Sequence, residues 1–353
     1  MKKILYVTED KMNEQFRYRY LNISQILRNN KKWEVMILSR NELIKKGEQF
    51  GGQSLVVITR QTAKNAAILR IIKKEQMAGI KDLFDIDDLI FDYRDLKLIY
   101  NTTKEKSLFY WLGYIWGVRR IAKRVDGFLC TNEFLAGKLK RSFNKPVRVI
   151  PNSLNREQVE LSKKLIKKKD KKQEKFVVGY FSGSPTHMKD FRMVEPELVK
   201  FLQSHEDVKL RVVGDMEFSN EMKKWIEKDR VEVLDKVDYL KLQELISGVD
   251  VNIAPLLIND FTNCKSELKF FEAGVVETTT IASPTYTFKK AIKDEKNGFL
   301  AKPGEWYDKL EYLYKHPEEN KKIAKNAREY ALKHYYGKEF LEEVEEAYDY
   351  FAK

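Results

Sequence analysis

The chain has 353 residues and a formal net charge of +13, with 43% hydrophobic and 12% aromatic residues. That composition excludes a disordered chain, and the length exceeds one ordinary core, which predicts two domains. The two cysteines, Cys130 and Cys264, stand far apart and exclude a disulfide framework or a zinc signature.

The N-terminal stretch MKKILYVTED holds only the short apolar run Ile4 to Val7. A secretory segment or a membrane span needs more, so a cytoplasmic protein is expected. Lys3–Thr8 reads as a first buried strand, and 14–29 as a helix with Ile23, Ile26 and Leu27 on its apolar side. Glu34–Leu38, Leu55–Thr59, Asp82–Ile86, Gly127–Thr131 and Val147–Ile150 are further short apolar runs. Short buried strands separated by helical segments make βαβ units and a parallel sheet. The first domain is expected over 1–160. LSKKLIKKKDKKQEK, residues 161–175, is a charge run without glycine and reads as a basic linker or a solvated helix.

The pattern then restarts. Phe176–Phe181, Lys209–Val213, Val231–Leu234, Val249–Ala254 and Thr279–Ser283 predict the strands of a second α/β domain over 176–335. The tail Lys321–Phe351 is strongly helical, with Tyr330, Phe340, Val344, Tyr348 and Phe351 at roughly helical spacing. The expected fold class is therefore α/β, with two Rossmann-like doubly wound parallel-sheet domains facing across a cleft. Ligands of such sheets bind outside the C-terminal edges of the strands.

Charge divides unevenly. Residues 1–175 hold 39 Lys and Arg against 20 Asp and Glu, a net of +19, whereas 176–353 hold 27 against 33, a net of −6. A basic half implies an anionic partner: nucleic acid, an anionic membrane, or a phosphorylated substrate.

Two motifs in the second half carry chemistry. In VVGYFSGSPTHMKDF, residues 177–191, a strand ends in a turn and a helix follows. Gly183 permits close approach of a ligand, and Ser184, Thr186 and nearby amides can donate to phosphate oxygens. The loop is neither a Walker A sequence nor GxGxxG. A plain strand–turn–helix connection explains it equally well. In DVNIAPLLINDFTNCKSELKFFEAG, residues 250–274, Ser266 suits a helix N-cap and Glu267 the first turn. The amides of Glu267 and Leu268, with Lys265 just outside, would form an anion site. Lys269 and Glu272 stand three apart on one face, and the carboxylate can take the paired hydroxyls of a ribose. An ordinary surface Lys–Glu pair is the simpler explanation of that spacing.

Together these stretches resemble the nucleotide-binding half of GT-B glycosyltransferases of the family 4 (group 1) type. GYFSGSPTHMKDF, LRVVGD, DVNIAPL, NCKSELKFFEAG and KNGFLAKPGEWYDKL fall where that pattern has counterparts, and FDIDDLIF and VIPNSLN extend it more weakly into the first half. The likeness is strongest to enzymes that build bacterial surface polysaccharides. It implies that Glu272 binds the donor ribose and that the Gly183 loop approaches the diphosphate. The amides of Glu267 and Leu268 would do so from the other side. Gly214 and Asp215 would border the nucleotide, and Lys189, Lys265, Ser266 and Lys269 complete the donor set. It also implies a retaining transfer from a UDP-, GDP- or dTDP-sugar, no cofactor and no metal. The final helix, about 336–353, would cross back to the first domain. In two places the sequence departs from the pattern. Cys264 stands eight positions before Glu272, where many members carry a second glutamate. His187 is the only one of the four histidines in a candidate site loop, and it becomes the histidine candidate for catalysis.

The acids of LFDIDDLIF admit three readings. Asp85 and Asp87 match the DxD of metal-dependent sugar transferases. They also resemble the nucleophile loop of haloacid-dehalogenase-like phosphatases, although Leu89 replaces the hydroxyl-bearing or branched residue. The favoured reading makes Asp87 and Asp88 catalytic-cleft acids that meet sugar or acceptor hydroxyls. Asp85 or Asp88 is also expected to cap the following segment. Arg17 and Arg19, at a helix start, are candidates for an acceptor phosphate. Residues 107–124, SLFYWLGYIWGVRRIAKR, interleave aromatics with Arg119, Arg120, Lys123 and Arg124. They read as a membrane-interfacial element or, more simply, as a core helix with a basic end. The expectation is a glycosyltransferase on the cytoplasmic face of the plasma membrane, acting on a lipid-linked or polysaccharide acceptor. A nucleic-acid-binding protein is the rival from another class, but no reader module is recognisable, so no nucleic-acid partner is expected.

Overall fold

Nearly continuous apolar runs make strands that are buried on both faces, and the chain folds accordingly. A computed structural model describes residues 1–9, 14–28, 32–45, 52–59, 66–103, 106–169, 175–182 and 188–352. The chain forms two compact units. The first comprises Met1–Asn155, Cys264–Ser266 and Tyr335–Lys353, and the second Arg156–Asn263 and Glu267–His334.

In the first unit the strands are β1 (Lys2–Thr8), β2 (Trp33–Ser39), β3 (Leu55–Thr59), β4 (Lys81–Ile86), β5 (Gly127–Cys130) and β6 (Val147–Val149). Among the described residues they form one parallel sheet in the order β2-β1-β3-β4-β5-β6. The order reverses between β1 and β3, the switch point of a doubly wound sheet. Ile4, Tyr6, Leu55, Val57, Leu83 and Leu129 build the core with Tyr20 and Ile23. The final helix, Lys338–Phe351, adds Phe340, Val344, Tyr348 and Phe351 to that core. The Tyr6 and Tyr348 hydroxyls meet at 2.6 Å, and Lys2 pairs with Asp349 at 2.8 Å. The helix expected after β1 is interrupted by a π turn at Arg17–Leu21 before it continues as Asn22–Arg28. Such turns concentrate at functional sites.

In the second unit the strands are β7 (Phe176–Phe181), β8 (Val208–Val213), β9 (Val231–Leu234), β10 (Val251–Ala254), β11 (Thr279–Ala282) and β12 (Phe299–Leu300). Their parallel order is β12-β11-β10-β7-β8-β9, with the switch point between β7 and β10. Val178, Tyr180, Phe191, Leu198, Ile253 and Trp306 lie in one buried cluster.

The boundary between the units differs from the sequence expectation. Of the stretch expected as a basic linker or a solvated helix, 161–169 is helix: Arg156–Lys169 is continuous and belongs to the second unit. Gln158, Val159 and Ser162 turn inward at helical spacing, and the Lys169 ammonium caps the carbonyls of Val276 and Glu277 at 3.3 and 2.6 Å. The long helical tail is two helices, Pro317–Tyr335 and Lys338–Phe351, parted at Tyr336 and Gly337. Gly337 takes the extended N-cap conformation there, and the two helices serve different units.

Candidate functional site

The second unit gathers its polar groups at the switch point. β7 is followed by Ser182, which donates its amide to the Val213 carbonyl at 2.9 Å. Gly214 follows β8 with φ +106°, and a Cβ there would stand 2.3 Å from the Ser182 oxygen. Only glycine lets the two strand ends approach this closely. Asp215 beside it is exposed. Gly183, Ser184, Thr186 and His187 lie outside the described residues. Lys189 is exposed in the first turn of the helix Met188–Ser204. Its neighbour Asp190 is 7% exposed and accepts the Leu257 amide at 2.8 Å, which fixes the loop after β10. Nothing in the sequence marks Asp190 beyond its place in HMKDF.

The glutamate-bearing helix starts later than expected. It runs Leu268–Gly274 with Glu267 at the cap, so Ser266 is not its N-cap. Glu267 sits at φ −80°, ψ 26°, and the first turn closes through Phe270 N to Glu267 O at 2.8 Å. That three-residue step leaves Ser266 outside the turn, its hydroxyl buried and without a partner among the described residues. Glu267 is 7% exposed, and Leu268 is half-buried. Lys269 and Glu272 are not a surface pair. The Lys269 ammonium is buried, has no hydrogen-bond partner among the described residues, and lies 4.7 Å from the Tyr180 ring centroid. Burial pushes its pKa down to about 8 against the attraction of Asp190 and Glu272. Glu272 is 5% exposed, and its Oε1 accepts from Gln158 Nε2 at 3.3 Å. Gln158 lies in the charged stretch REQVELSK, where nothing marks it as a site residue.

In the first unit the acids at the end of β4 each have a partner. Asp85 is 1% exposed and takes Arg19 Nε at 3.1 and 3.2 Å, with Nη2 at 3.1 Å. Burial pushes the Asp85 carboxyl up to about 6, and Arg19 opposes that shift. Arg19 is fully buried, and its Nη1 donates to Ile150 O at 2.5 Å and to Asn152 Oδ1 at 3.3 Å. The acceptor role expected of Arg19 is thereby corrected: its donors are turned to this interior network. Asp85 is equally enclosed, which removes the nucleophile of the phosphatase reading. Arg17 is 9% exposed, with its guanidinium 3.9 Å from the Tyr18 ring centroid. Asp87 accepts from Gln15 Nε2 at 2.9 Å. Asp88 Oδ1 accepts from Lys265 Nζ at 2.5 Å. The structure thus joins two residues that were expected in separate roles. Capping of the following segment falls instead to Asp92, which accepts Arg94 N at 3.0 Å. Among the described residues, no three His, Cys, Asp or Glu side chains form a group that could hold a metal ion.

Two Rossmann-like units of six parallel strands each define the GT-B architecture, and solved structures of that fold cover essentially the whole chain. Sucrose-phosphate synthase from Thermosynechococcus elongatus superposes with a TM-score of 0.68 at 15% identity, over 99% of this chain and 99% of that one. Anabaena HepE in complex with UDP and glucose does so at 0.64 and 14%, over 100% of both chains. WaaG, a glycosyltransferase involved in lipopolysaccharide biosynthesis, gives 0.64 at 13% identity over 99% of both chains. Residues 162–330 match the family model "Glycosyl transferases group 1", so the second unit carries a group 1 glycosyltransferase domain and the chain is a glycosyltransferase. No curated protein matches the chain in sequence.

Proposed function

We propose that this enzyme transfers a sugar from a nucleotide-sugar to a lipid-linked or polysaccharide acceptor in bacterial cell-surface glycan synthesis. Transfer retains the anomeric configuration and uses no metal. The second unit holds the donor. Glu272, half-way along its helix beside the β7–β10 switch point, takes the ribose hydroxyls. Gly214 and Asp215 border the nucleotide. The 183–187 loop, Lys189 and the Glu267–Leu268 turn approach the diphosphate. The observation that carries the reading is the buried Lys269 ammonium, without a hydrogen-bond partner among the described residues, and the buried Glu272 carboxylate on the same short helix: a helix surface has no use for them, and a site that reads hydroxyls does. UDP bound to HepE supports a UDP-sugar ahead of GDP- or dTDP-sugars.

The first unit supplies the acceptor side. Asp87 and Asp88 meet sugar or acceptor hydroxyls, and Arg17 is the remaining cation for an acceptor phosphate. The bond from the anomeric carbon to the phosphate oxygen breaks, the acceptor oxygen takes the carbon, and the nucleoside diphosphate departs. The proton of the acceptor hydroxyl needs a base, for which Asp87, Asp88 and His187 are the candidates. The +19 of residues 1–175 favours peripheral association with an anionic membrane on the cytoplasmic side.

A thermal-shift panel of UDP-, GDP- and dTDP-sugars tests the donor. One of them should raise the melting temperature, and Glu272→Ala should abolish that rise while the unliganded melting temperature moves little. Protection by none of them, or unchanged protection in Glu272→Ala, sinks the reading.

A further inference from the structure

We infer that the exposed stripe of the Leu108–Ala122 helix is a docking surface for an anionic lipid bilayer. The inference names the surface that would bring the proposed enzyme to a membrane-borne acceptor, and to that extent it rests on that reading. A surface helix needs one apolar stripe to join a core. This helix has two. Trp111, Ile115, Val118 and Ile121 are buried in the first unit. The second stripe runs Phe109, Leu112 and Trp116 and continues into Arg120 and Lys123, at steps of three or four residues. Phe109 is 84% exposed, Trp116 51%, and Leu108 at the helix start 43%.

A single exposed apolar side chain means little, but several aligned on one wound helix mark an interaction site. The exposed end is held in helix by Ser107, whose hydroxyl accepts the Tyr110 amide at 3.2 Å. Cations flank the aromatics. The Arg120 guanidinium lies 4.7 Å from the Trp116 ring centroid, and the Lys106 ammonium 5.9 Å from that of Tyr110. Aromatic bodies bed at the acyl boundary while cations reach the headgroups, and this stripe presents both. Arg119 takes no part, because it donates to the Phe91 carbonyl at 3.0 Å and lies over Phe143. No Asp or Glu occurs from Leu108 to Arg124, so a second copy of the stripe offers these cations no counter-charge, whereas an anionic bilayer does. With 15 residues the helix is about 22 Å long, short of the roughly 30 Å of hydrocarbon, so it lies on the bilayer and does not span it.

The test uses the full chain and vesicles of phosphatidylcholine, with and without phosphatidylglycerol. Co-sedimentation should occur with the anionic vesicles and weaken with salt. Acyl chains carrying bromine should quench tryptophan fluorescence, and Trp116→Phe should remove most of that quench. The double variant Phe109→Ser/Trp116→Ser should bind anionic vesicles roughly tenfold less, or weaker still. Its melting temperature and any nucleotide-sugar protection should stay those of the parent chain. Equal vesicle binding by the double variant would overturn the inference, since charge alone would then explain association. So would no binding to anionic vesicles, or a concentration-dependent dimer that shields Trp116 from acrylamide without lipid. Vesicle binding with no nucleotide-sugar protection would leave the docking surface standing and remove the donor reading.

Discussion

Asp85 and Asp87 differ by two positions and by everything around them. Asp85 lies on β4 within the sheet and Asp87 just past its end. The sequence presents three acids in four positions but cannot show which is enclosed, because the partner that decides it, Arg19, is 66 residues away. Asp85→Asn would leave a buried guanidinium without its counter-charge, and urea denaturation should show a loss of about 3–5 kcal/mol. A conservative swap that costs under about 1 kcal/mol would mean that the pair is dispensable. A second buried acid sits at the other end of β4. Asp82 is fully buried, and burial together with Glu75 and Asp126 drives its pKa strongly upward. Lys81 pairs with Asp126, and Lys145 donates to nearby carbonyls, so neither cation neutralises it. A raised carboxyl keeps in the native state a proton that the unfolded chain has released above its ordinary range. Stability therefore falls as pH rises from about 4 upward. Asp82→Asn should flatten that fall by up to about 1.4 kcal/mol per pH unit, which urea melts at pH 5 and pH 9 would measure. Parallel pH profiles for the two proteins would rule the retained proton out.

At the scale of elements, what the sequence showed was what periodicity carries. Buried parallel strands announce themselves as short apolar runs, and β1, β3, β7 and β9 fall on or within a residue of those runs. β12 has only two residues and no period to read. The helix Arg156–Lys169 was obscured because its inward residues, Gln158 and Ser162, are polar, and the surrounding lysines read as solvent. Gly214 entered the candidate site through the family resemblance alone, and its left-handed φ and its contact with Ser182 O exclude any Cβ. The site was not legible where a side chain depends on a distant partner, as with Gln158 and Glu272 or Lys265 and Asp88. Gly214→Ala must either adopt a strained φ or part the ends of β7 and β8. The expected cost is at least about 1–2 kcal/mol of stability, with weaker nucleotide-sugar protection. Unchanged melting and unchanged protection would show that the two strand ends can part freely.

For the molecule as a whole, the decisive feature is that both ends of the chain belong to one unit. β1 begins at Lys2, and the Lys338–Phe351 helix completes the same core through Phe340, Val344, Tyr348 and Phe351. Lys2 and Lys32 add ion pairs to Asp349 at 2.8 and 2.6 Å. The tail's apolar spacing announced a helix but not the core it enters, which only the family resemblance implied; Tyr348 meets Tyr6 within the first unit's core. At about 1.5–3 kcal/mol for each fully buried side chain, four of them contribute about 6–12 kcal/mol. A domain of this size has only about 5–15 kcal/mol to lose. Deleting residues 336–353 should therefore unfold the first unit rather than merely weaken it. The second unit's core, from Val178 to Trp306 and Leu313, contains none of the deleted residues. Hydrogen–deuterium exchange of the truncated chain should show protection lost across β1–β6 and kept across β7–β12. Protection retained in β1 and β3 would mean that the final helix is an accessory to that core. Protection lost in all twelve strands would mean that the second unit cannot hold its fold without the first.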